Sequence, residues 1–244
     1  MNQTENELRM DLAASFHMAV SSDLHEGIAN HFSAVLPNGK HFLVNPFGLH
    51  FSEITASNLI VCDFNGKVVS GDGEPSPSAR HIHAPIHRLI PRAQVLMHSH
   101  QPYATALSMV DDGRLEWALQ TSCRFYGRVA YDTDYDGIAL SESVGERMAA
   151  MLAESDLMFM GNHGVITAAT TVAQAFDDLY FVERAAQTQI HAMSTGRPLV
   201  QLDQKMVEQV AAQTHYERFE LGYIERHFAA QKRLLDTAGG LYRR

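Results

Sequence analysis

Two histidines one residue apart, His98 and His100, follow a short apolar run and are the residues of this chain best suited to do chemistry. The run, residues 93–97, follows a proline and an arginine and has the length and apolar character of a mostly buried strand. Side chains alternate between the two faces of a strand, so both imidazoles share one face and Ser99 points away. Neighbouring imidazoles of this kind are suited to bind a divalent metal ion.

A third histidine, His163, lies in the sequence Gly161-Asn162-His163-Gly164, between two further apolar runs. We interpret these runs as a hairpin whose turn holds His163 at the end of a sheet, with Gly164 allowing a left-handed or tight backbone. Three histidine ligands would leave one coordination position open, as a catalytic metal site requires. The alternative is an ordinary hairpin turn with a solvated His163, and the spacing alone does not decide between the two.

The overall composition is typical of a globular protein, since the 244 residues are 45% hydrophobic and 19% charged. A net charge of −9 without a cluster of basic residues argues against nucleic-acid binding. The sequence shows no secretory leader and no apolar run of roughly eighteen residues, so we expect no membrane association. The two cysteines, Cys62 and Cys123, lack metal-type spacing, which is typical of a reduced, cytoplasmic protein.

The hydrophobic pattern predicts one α/β domain over residues 1–244, with hairpins in its sheet and helices on its faces. The predicted helices cover residues 5–20, 84–89, a stretch opening at Gln101-Pro102, 143–153 and 172–193, the last capped by Thr171. A final helical region covers about 203–236. The predicted strands cover 31–36, 41–45, 59–64, 67–70, 93–97, 127–131, 158–160 and 165–168.

Several short motifs occur together in an order and at distances typical of one protein family, over roughly residues 8–195. They are Gly27-Ile28-Ala29-Asn30-His31, Asn45-Pro46-Phe47-Gly48-Leu49 with Glu53-Ile54-Thr55, Gly66-Lys67-Val68-Val69, Pro75-Ser76, His83, Pro91-Arg92-Ala93 leading to His98-Ser99-His100, and Gly161-Asn162-His163-Gly164. With these motifs the chain resembles the class II aldolase/adducin family. That resemblance implies a three-layer α/β/α fold with a central, mainly antiparallel sheet.

The same resemblance carries expectations about function. The enzymes of the family include sugar-phosphate aldolases, epimerases and decarboxylases, usually homotetramers with active sites at subunit boundaries, and the family also contains the metal-free cytoskeletal adducins. By resemblance to the enzymes, His98, His100 and His163 are the expected ligands of a divalent metal. Three neutral imidazoles favour Zn²⁺, with Mn²⁺ as the alternative.

Two positions depart from the family's pattern. The aldolases of the family carry a proton-carrying glutamate four residues before the histidine that matches His83, and this chain has Ala79 there. They carry a phosphate-binding serine where this chain has Phe47. An alanine cannot accept a proton, and a phenyl ring donates no hydrogen bond to a phosphate. We therefore expect neither the standard aldol deprotonation nor a phosphorylated sugar as substrate.

Decarboxylation is still possible for this chain. When carbon dioxide departs, the electrons of the broken carbon–carbon bond stay on the substrate, so no base is needed to start the reaction. A metal ion can supply the required electron sink. We expect the acid that then protonates the carbanion to be a water on the metal, Tyr126 or Glu74. The simpler alternatives for the two side chains are a half-buried sheet tyrosine and a solvated loop carboxylate.

The substrate pocket is expected to include Asn30, Phe47 and Gly48, which lie in the motifs that carry the resemblance. His83 and His87 are four residues apart, hence on one face of a helix, and either line the pocket as hydrogen-bond donors or pack as satisfied core histidines. The first hypothesis is therefore a metal-dependent carbon–carbon lyase for a small non-phosphorylated oxo- or hydroxy-acid, with decarboxylation favoured over aldol cleavage. The second is a non-catalytic, adducin-like module that kept the fold for assembly.

Overall fold

An eight-stranded sheet forms the centre of the computed structural model, which describes residues 3–135 and 137–244. Its strand order is β4-β3-β2-β1-β5-β8-β7-β6, and only the β6–β7 pair is parallel. The strands are β1 His31–Val35, β2 His41–Val44, β3 Ile60–Asp63, β4 Val68–Ser70, β5 Val95–Ser99, β6 Val129–Asp132, β7 Leu157–Met160 and β8 Gly164–Ala169. The predicted α/β fold with a mainly antiparallel sheet is confirmed.

Helices cover both faces of the sheet. They are α1 Glu5–Ser21, α2 Pro77–Leu89, α3 Pro102–Ser108, α4 Gln120–Cys123, α5 Glu142–Leu152, α6 Val172–Met193, α7 Gln204–Phe219 and α8 Tyr223–Thr237, with short 3₁₀ turns at Phe51–Glu53 and Leu241–Arg243. Thr171 caps α6 as predicted, because its side chain accepts the Gln174 N–H. Within the described residues, no helix is both long and apolar enough to cross a membrane.

Two apolar layers hold the helices on the sheet. On one face α1, α3 and α6 pack on the strands around Phe16, Phe32 and Phe176. On the other face α2 and α5 pack on each other and on the sheet, around Ile86 and Met148. Each such fully buried side chain contributes about 1.5–3 kcal/mol of transfer free energy. The result is a rigid sheet whose strand ends hold the candidate chemistry.

Two helix predictions need correction. Helix α2 begins at Pro77 and not at residue 84, because Ser76 caps it by accepting the Ala79 N–H and a proline is well tolerated at the first helical position. The region 203–236 is two helices, divided where Gly222 adopts a left-handed backbone with φ of 65°. The proline and serine residues that follow the polar loop are the sequence features that indicate that α2 begins before residue 84.

Candidate metal centre

Three histidines meet at one end of the central strands. His98 is in β5, opposite Ile166 of β8, and His100 follows just after the end of β5. His163 lies in the turn between β7 and β8. One ligand-type nitrogen from each ring lies within 4.8 Å of the others. The structure thus brings together the three residues that the sequence singles out. Two of them come from the end of β5 and the third from the β7–β8 turn, which is distant in the chain.

The tight turn that holds His163 differs from the prediction in one detail. Asn162, not Gly164, has the left-handed backbone, with φ of 54°. Gly164 is needed for a different reason, since an added Cβ would lie 2.5 Å from the Ser99 carbonyl oxygen and 3.0 Å from a carbon of the His100 ring. The missing side chain therefore allows β8 to approach the end of β5, which brings His163 next to His100.

Hydrogen-bond partners assign the proton on one nitrogen of His98 and of His100. The Nδ1 of His98 lies 3.0 Å from the Val165 carbonyl oxygen, which can only accept, so this nitrogen carries the proton. The Nδ1 of His100 donates to the Glu26 carboxylate at 2.6 Å. The Nε2 of His98 therefore carries a free lone pair, and it faces the Nε2 of His100 at 3.0 Å. A proton on the His100 nitrogen or a metal cation can lie between the two atoms.

Burial lowers the pKa of His98 and of His163. His98 is 1% exposed, and burial first, followed by the neighbouring His100, His31 and His163, holds its pKa well below the usual value. Burial, with a further contribution from His100, lowers the pKa of His163 to about 4. Neutral imidazole is the form that binds metals, so little proton competition is expected near neutral pH.

The arrangement fits a divalent ion. Tetrahedral zinc with Zn–N distances near 2.0–2.1 Å has its nitrogens roughly 3.3 Å apart, and the cluster shows 3.0 Å for the His98–His100 pair and at most 4.8 Å overall. Three protein ligands leave a fourth position for a substrate. A bound cation would take the position that the Nε2 atoms of His98 and His100 both face.

Glu26 is a further candidate residue of the site, and the motifs of the sequence do not include it. It lies in the loop before β1, and its carboxylate accepts from the outer nitrogen of His100. The loop is held because the Asn30 Oδ1 accepts the Glu26 N–H at 2.6 Å. A carboxylate on the second nitrogen of a histidine ligand orients the ring and raises its basicity. The only sequence signal was that Glu26 stands directly before the Gly27–His31 motif.

Replacing Glu26 with glutamine is expected to weaken Zn²⁺ binding about tenfold, because the amide keeps an acceptor but loses the negative charge that supports His100. Competition with a chromophoric chelator measures the change. Glu154→Gln is the matched control, since Glu154 is exposed and lies at the end of α5. Equal zinc affinity in Glu26→Gln and the control would show that Glu26 does not support the centre.

His31 forms a further wall of the cluster. It is paired with His98 across β1 and β5, and the two rings lie 4.8 Å apart between centroids. Burial above all, and then the nearby His100 and His163, lower the pKa of His31 to about 3. The wall beside the metal position is therefore a neutral imidazole and not a carboxylate.

His31 begins a buried chain of hydrogen bonds with one consistent direction. The His87 Nδ1 donates to the Ala93 carbonyl at 2.7 Å, so its Nε2 accepts from the Ser33 hydroxyl at 2.7 Å. Ser33 in turn accepts from the Nδ1 of His83 at 2.5 Å, and the Nε2 of His83 accepts from His31 at 2.8 Å. The far nitrogen of His31 accepts from the Ser78 hydroxyl at 3.2 Å.

This chain corrects the expectation that His83 and His87 contact a substrate. His83 is fully buried and His87 is 5% exposed, and both ring nitrogens of each already have protein partners. They are the satisfied core histidines of the alternative interpretation, and they hold His31 in place. His31 is joined to the cluster by the pairing of two strands that are distant in sequence. The helical spacing of His83 and His87 alone therefore did not indicate that they support His31.

The other expected pocket residues occupy different environments. Asn30 is 1% exposed, and its Nδ2 finds no partner within residues 3–135 and 137–244. Phe47 is 57% exposed, and its N–H donates to the Glu74 carbonyl at 2.7 Å. Gly48 follows it with φ of 93°, and the Glu74 side chain is exposed. Phe47, Gly48 and Glu74 thus belong to two linked surface loops.

Tyr126 is not brought to the cluster. Its ring packs edge-on against Trp117 at 5.6 Å, and no hydrogen bond or ring contact among the described residues joins it to the three histidines. Tyr135 is the tyrosine that the structure places there, with its ring 6.3 Å from that of His163 and more than half exposed. No periodicity or spacing in the sequence indicates a role for Tyr135, which lies in the loop after β6.

Ala79 does not leave an open space at the cluster. It is 1% exposed and packs in a small apolar group with Phe42, Val44 and Ile60. A carboxylate at this position would be buried among apolar side chains, at a considerable cost in free energy. The absence of a glutamate here is therefore built into the packing of α2 on the sheet.

Comparisons with known proteins agree with this geometry. The family described as "Class II Aldolase and Adducin N-terminal domain" matches residues 10–190. An adducin-related protein of Schizosaccharomyces pombe is 36% identical over 250 residues, which cover 96% of this chain and 76% of that protein. The decarboxylase NovR of Streptomyces niveus is 29% identical over 158 residues, which cover 64% of this chain and 58% of that protein.

Two solved structures have the same fold. An aldolase II superfamily protein from Pseudomonas syringae superimposes with a TM-score of 0.92 at 36% identity, covering 100% of this chain and 98% of the other. An L-fuculose 1-phosphate aldolase from Glaciozyma antarctica PI12 gives a TM-score of 0.84 at 26% identity, covering 98% and 93%. The similarity extends over the strands and turns that hold the three histidines.

Proposed function

Because the chain belongs to the class II aldolase and adducin family, we propose that it is a metal-dependent carbon–carbon lyase. Its substrate is a small, non-phosphorylated oxo- or hydroxy-acid, and decarboxylation is favoured over aldol cleavage. The observation that carries the proposal is the meeting of three imidazole nitrogens, one each from His98, His100 and His163, within 4.8 Å of one another. Such a donor set is suited to a divalent cation.

The metal is Zn²⁺ in this proposal, with Mn²⁺ as the alternative, since class II aldolases typically use a divalent metal and three neutral imidazoles favour zinc. His98, His100 and His163 hold it, with Val165 and Glu26 orienting two of the rings. When bound, such an ion acts as a Lewis acid on a carbonyl or carboxylate oxygen and accommodates the electron pair that departing carbon dioxide leaves behind.

The protein groups around the cluster favour decarboxylation. No carboxylate occupies the Ala79 position, so the usual proton acceptor for an aldol reaction is absent. His31 is buried, neutral and committed to His83 and Ser78, so it forms a wall that does not compete for a proton. The buried Nδ2 of Asn30 is a free donor suited to an acid oxygen of the substrate. Glu74 remains the proposed proton donor, from its exposed loop beside Phe47.

Phe47 argues against a phosphorylated substrate. By the family resemblance it stands where the aldolases carry a phosphate-binding serine; its ring is exposed, and a phenyl ring cannot replace that donor. We further propose a cytoplasmic homotetramer, following the family's enzymes. Sedimentation showing only monomers would contradict that assembly.

A panel of oxo- and hydroxy-acids, each beside its phosphorylated counterpart, tests the proposal with zinc-loaded protein. We expect carbon dioxide release from non-phosphorylated acids, at least about tenfold greater kcat/KM than for the phosphorylated partners, and loss of the activity in His163→Ala. Aldol cleavage of sugar phosphates would overturn the substrate assignment. Stoichiometric metal without any turnover would favour the second candidate, an adducin-like assembly module, which the adducin-related relative supports.

A further inference from the structure

A second polar pocket lies among the C-terminal helices, and none of its lining residues belongs to the histidine cluster or its supports. It is a cavity of about 120 Å³ between α4, α6, α7 and the start of α8, where one water molecule needs roughly 10–15 Å³. Two arginines form its floor, Arg124 and Arg218, which are 7% and 3% exposed. Buried guanidinium groups at the floor of an open cavity need anionic partners.

The carboxylates beneath the pocket are fully engaged. The two oxygens of Asp177 accept from His227 at 2.9 Å and from Arg124 at 2.8 Å, with Arg218 3.3 Å from the second. The two oxygens of Asp178 accept from Arg218 at 2.7 Å and from Arg128 at 2.8 Å. Each of the four oxygens therefore already has a donor.

Arg124 is left with unused donors. Its Nε is buried and has no hydrogen-bond partner in the part of the chain that the structure describes. Among the described residues Arg124 forms one ion pair, with Asp177, whereas Arg128 pairs with both Asp156 and Asp178. Burial and the nearby Arg218 and Arg128 cations act together to lower the pKa of Arg124, despite Asp177. The positive charge of Arg124 at the floor of the pocket is therefore less well compensated by carboxylates than the charges of the neighbouring arginines.

The guanidinium group of Arg124 is held in one orientation, which suits a planar anion. Its central carbon lies 3.8 Å from the centroid of the Phe181 ring, and this contact restrains the plane of the group. The pocket is also lined by the hydroxyl-bearing residues Thr121, Thr214 and Tyr223. An arginine with a fixed plane matches the two coplanar oxygens of a carboxylate.

We propose that the Arg124–Arg218 pocket binds the carboxylate of a small organic acid, as a ligand site separate from the metal centre. Glu217 is the one acidic side chain that lines the pocket within the described residues, and it is exposed at the rim. Its negative charge opposes an entering carboxylate. Removing that charge therefore strengthens binding, which an arginine pocket with a purely structural role would not show.

Calorimetric titration with malonate at constant ionic strength tests this site. The full-length His98→Ala/His100→Ala chain serves as the host, because it lacks the metal centre that also attracts carboxylates; its result is therefore independent of the proposed lyase activity. We expect saturable 1:1 binding of malonate, weaker binding of inorganic phosphate, and about threefold tighter malonate binding after adding Glu217→Gln.

Arg124→Lys, checked for native circular dichroism, is expected to weaken malonate binding at least about tenfold, because it loses the planar fork. Glu217→Gln keeps the test decisive even if the lysine variant folds poorly, since Glu217 is exposed. Absence of saturation at millimolar malonate would overturn the proposal, and so would equal affinities with and without Glu217→Gln. Tighter binding of phosphate than of malonate would overturn the assignment to a carboxylate.

Discussion

Replacing His163 with alanine is expected to lower Zn²⁺ affinity by at least about 100-fold and to remove the proposed metal-dependent activity, while the chain remains folded. A supporting group outside the ligand set is worth 10–100-fold in metal affinity, so loss of one of three ligands costs at least the upper figure. His163 lies in a turn and not in an apolar core, so its truncation opens no large cavity. Chelator competition and thermal unfolding measure the two effects separately.

The matched control for this variant is His191→Ala. His191 is an exposed histidine near the end of α6 that contacts the Tyr103 ring, so its loss removes an imidazole without affecting the cluster. Zinc affinity in the control should equal that of the unaltered chain. If His163→Ala bound zinc as tightly as His191→Ala, the ligand assignment would be wrong.

Acidification from pH 7 to pH 5 is expected to cost the metal-free protein several kcal/mol of unfolding free energy. Burial, as the main cause in each case, lowers the pKa of His87 to about 4 and of His31 to about 3, and it lowers that of His83 well below 6.5. Below pH 6.5 the unfolded chain therefore binds more protons than the folded chain does. The contribution of these histidines to the free energy of unfolding is fully present above that pH and decreases as the pH falls towards 4. At pH 5 each histidine that stays neutral costs about 2 kcal/mol.

Urea unfolding at several pH values between 7 and 5 measures this loss, in a range where most carboxylates remain ionised. His87→Gln should reduce the slope of unfolding free energy against pH by up to about 1.4 kcal/mol per unit, because one titrating group is removed. His215→Gln, at an exposed position in α7, is the matched control and should leave the slope unchanged. A slope unaffected by His87→Gln would contradict the neutral buried chain.

Strand alternation, helix caps and hairpins could be predicted well from the sequence, because each depends on residues that are close together in the chain. Strand alternation put His98 and His100 on one face, and Ser99 on the other, where its hydroxyl donates to Leu24. The Thr171 cap and the β7–β8 hairpin follow from residues within a few positions of each other. The same reasoning, together with the family resemblance, identified the three histidines that the structure brings together.

The support of the site depends on contacts between distant parts of the chain, which periodicity does not reveal. His31 reaches the cluster through the antiparallel pairing of β1 with β5, and Glu26 reaches it through a loop anchored by Asn30. The helical spacing of His83 and His87 was visible, but their partner Ser33 lies in another strand. Only the pairing of the strands shows that His83 and His87 support His31 and are not substrate contacts.

Elemental analysis tests directly whether His98, His100 and His163 hold a divalent metal. Untagged protein purified without chelator is compared with the His98→Ala/His100→Ala variant prepared in the same way. We expect near-stoichiometric zinc or manganese in the first and little in the second. Protein that holds no metal even after incubation with either ion, or equal metal in both preparations, would contradict this assignment.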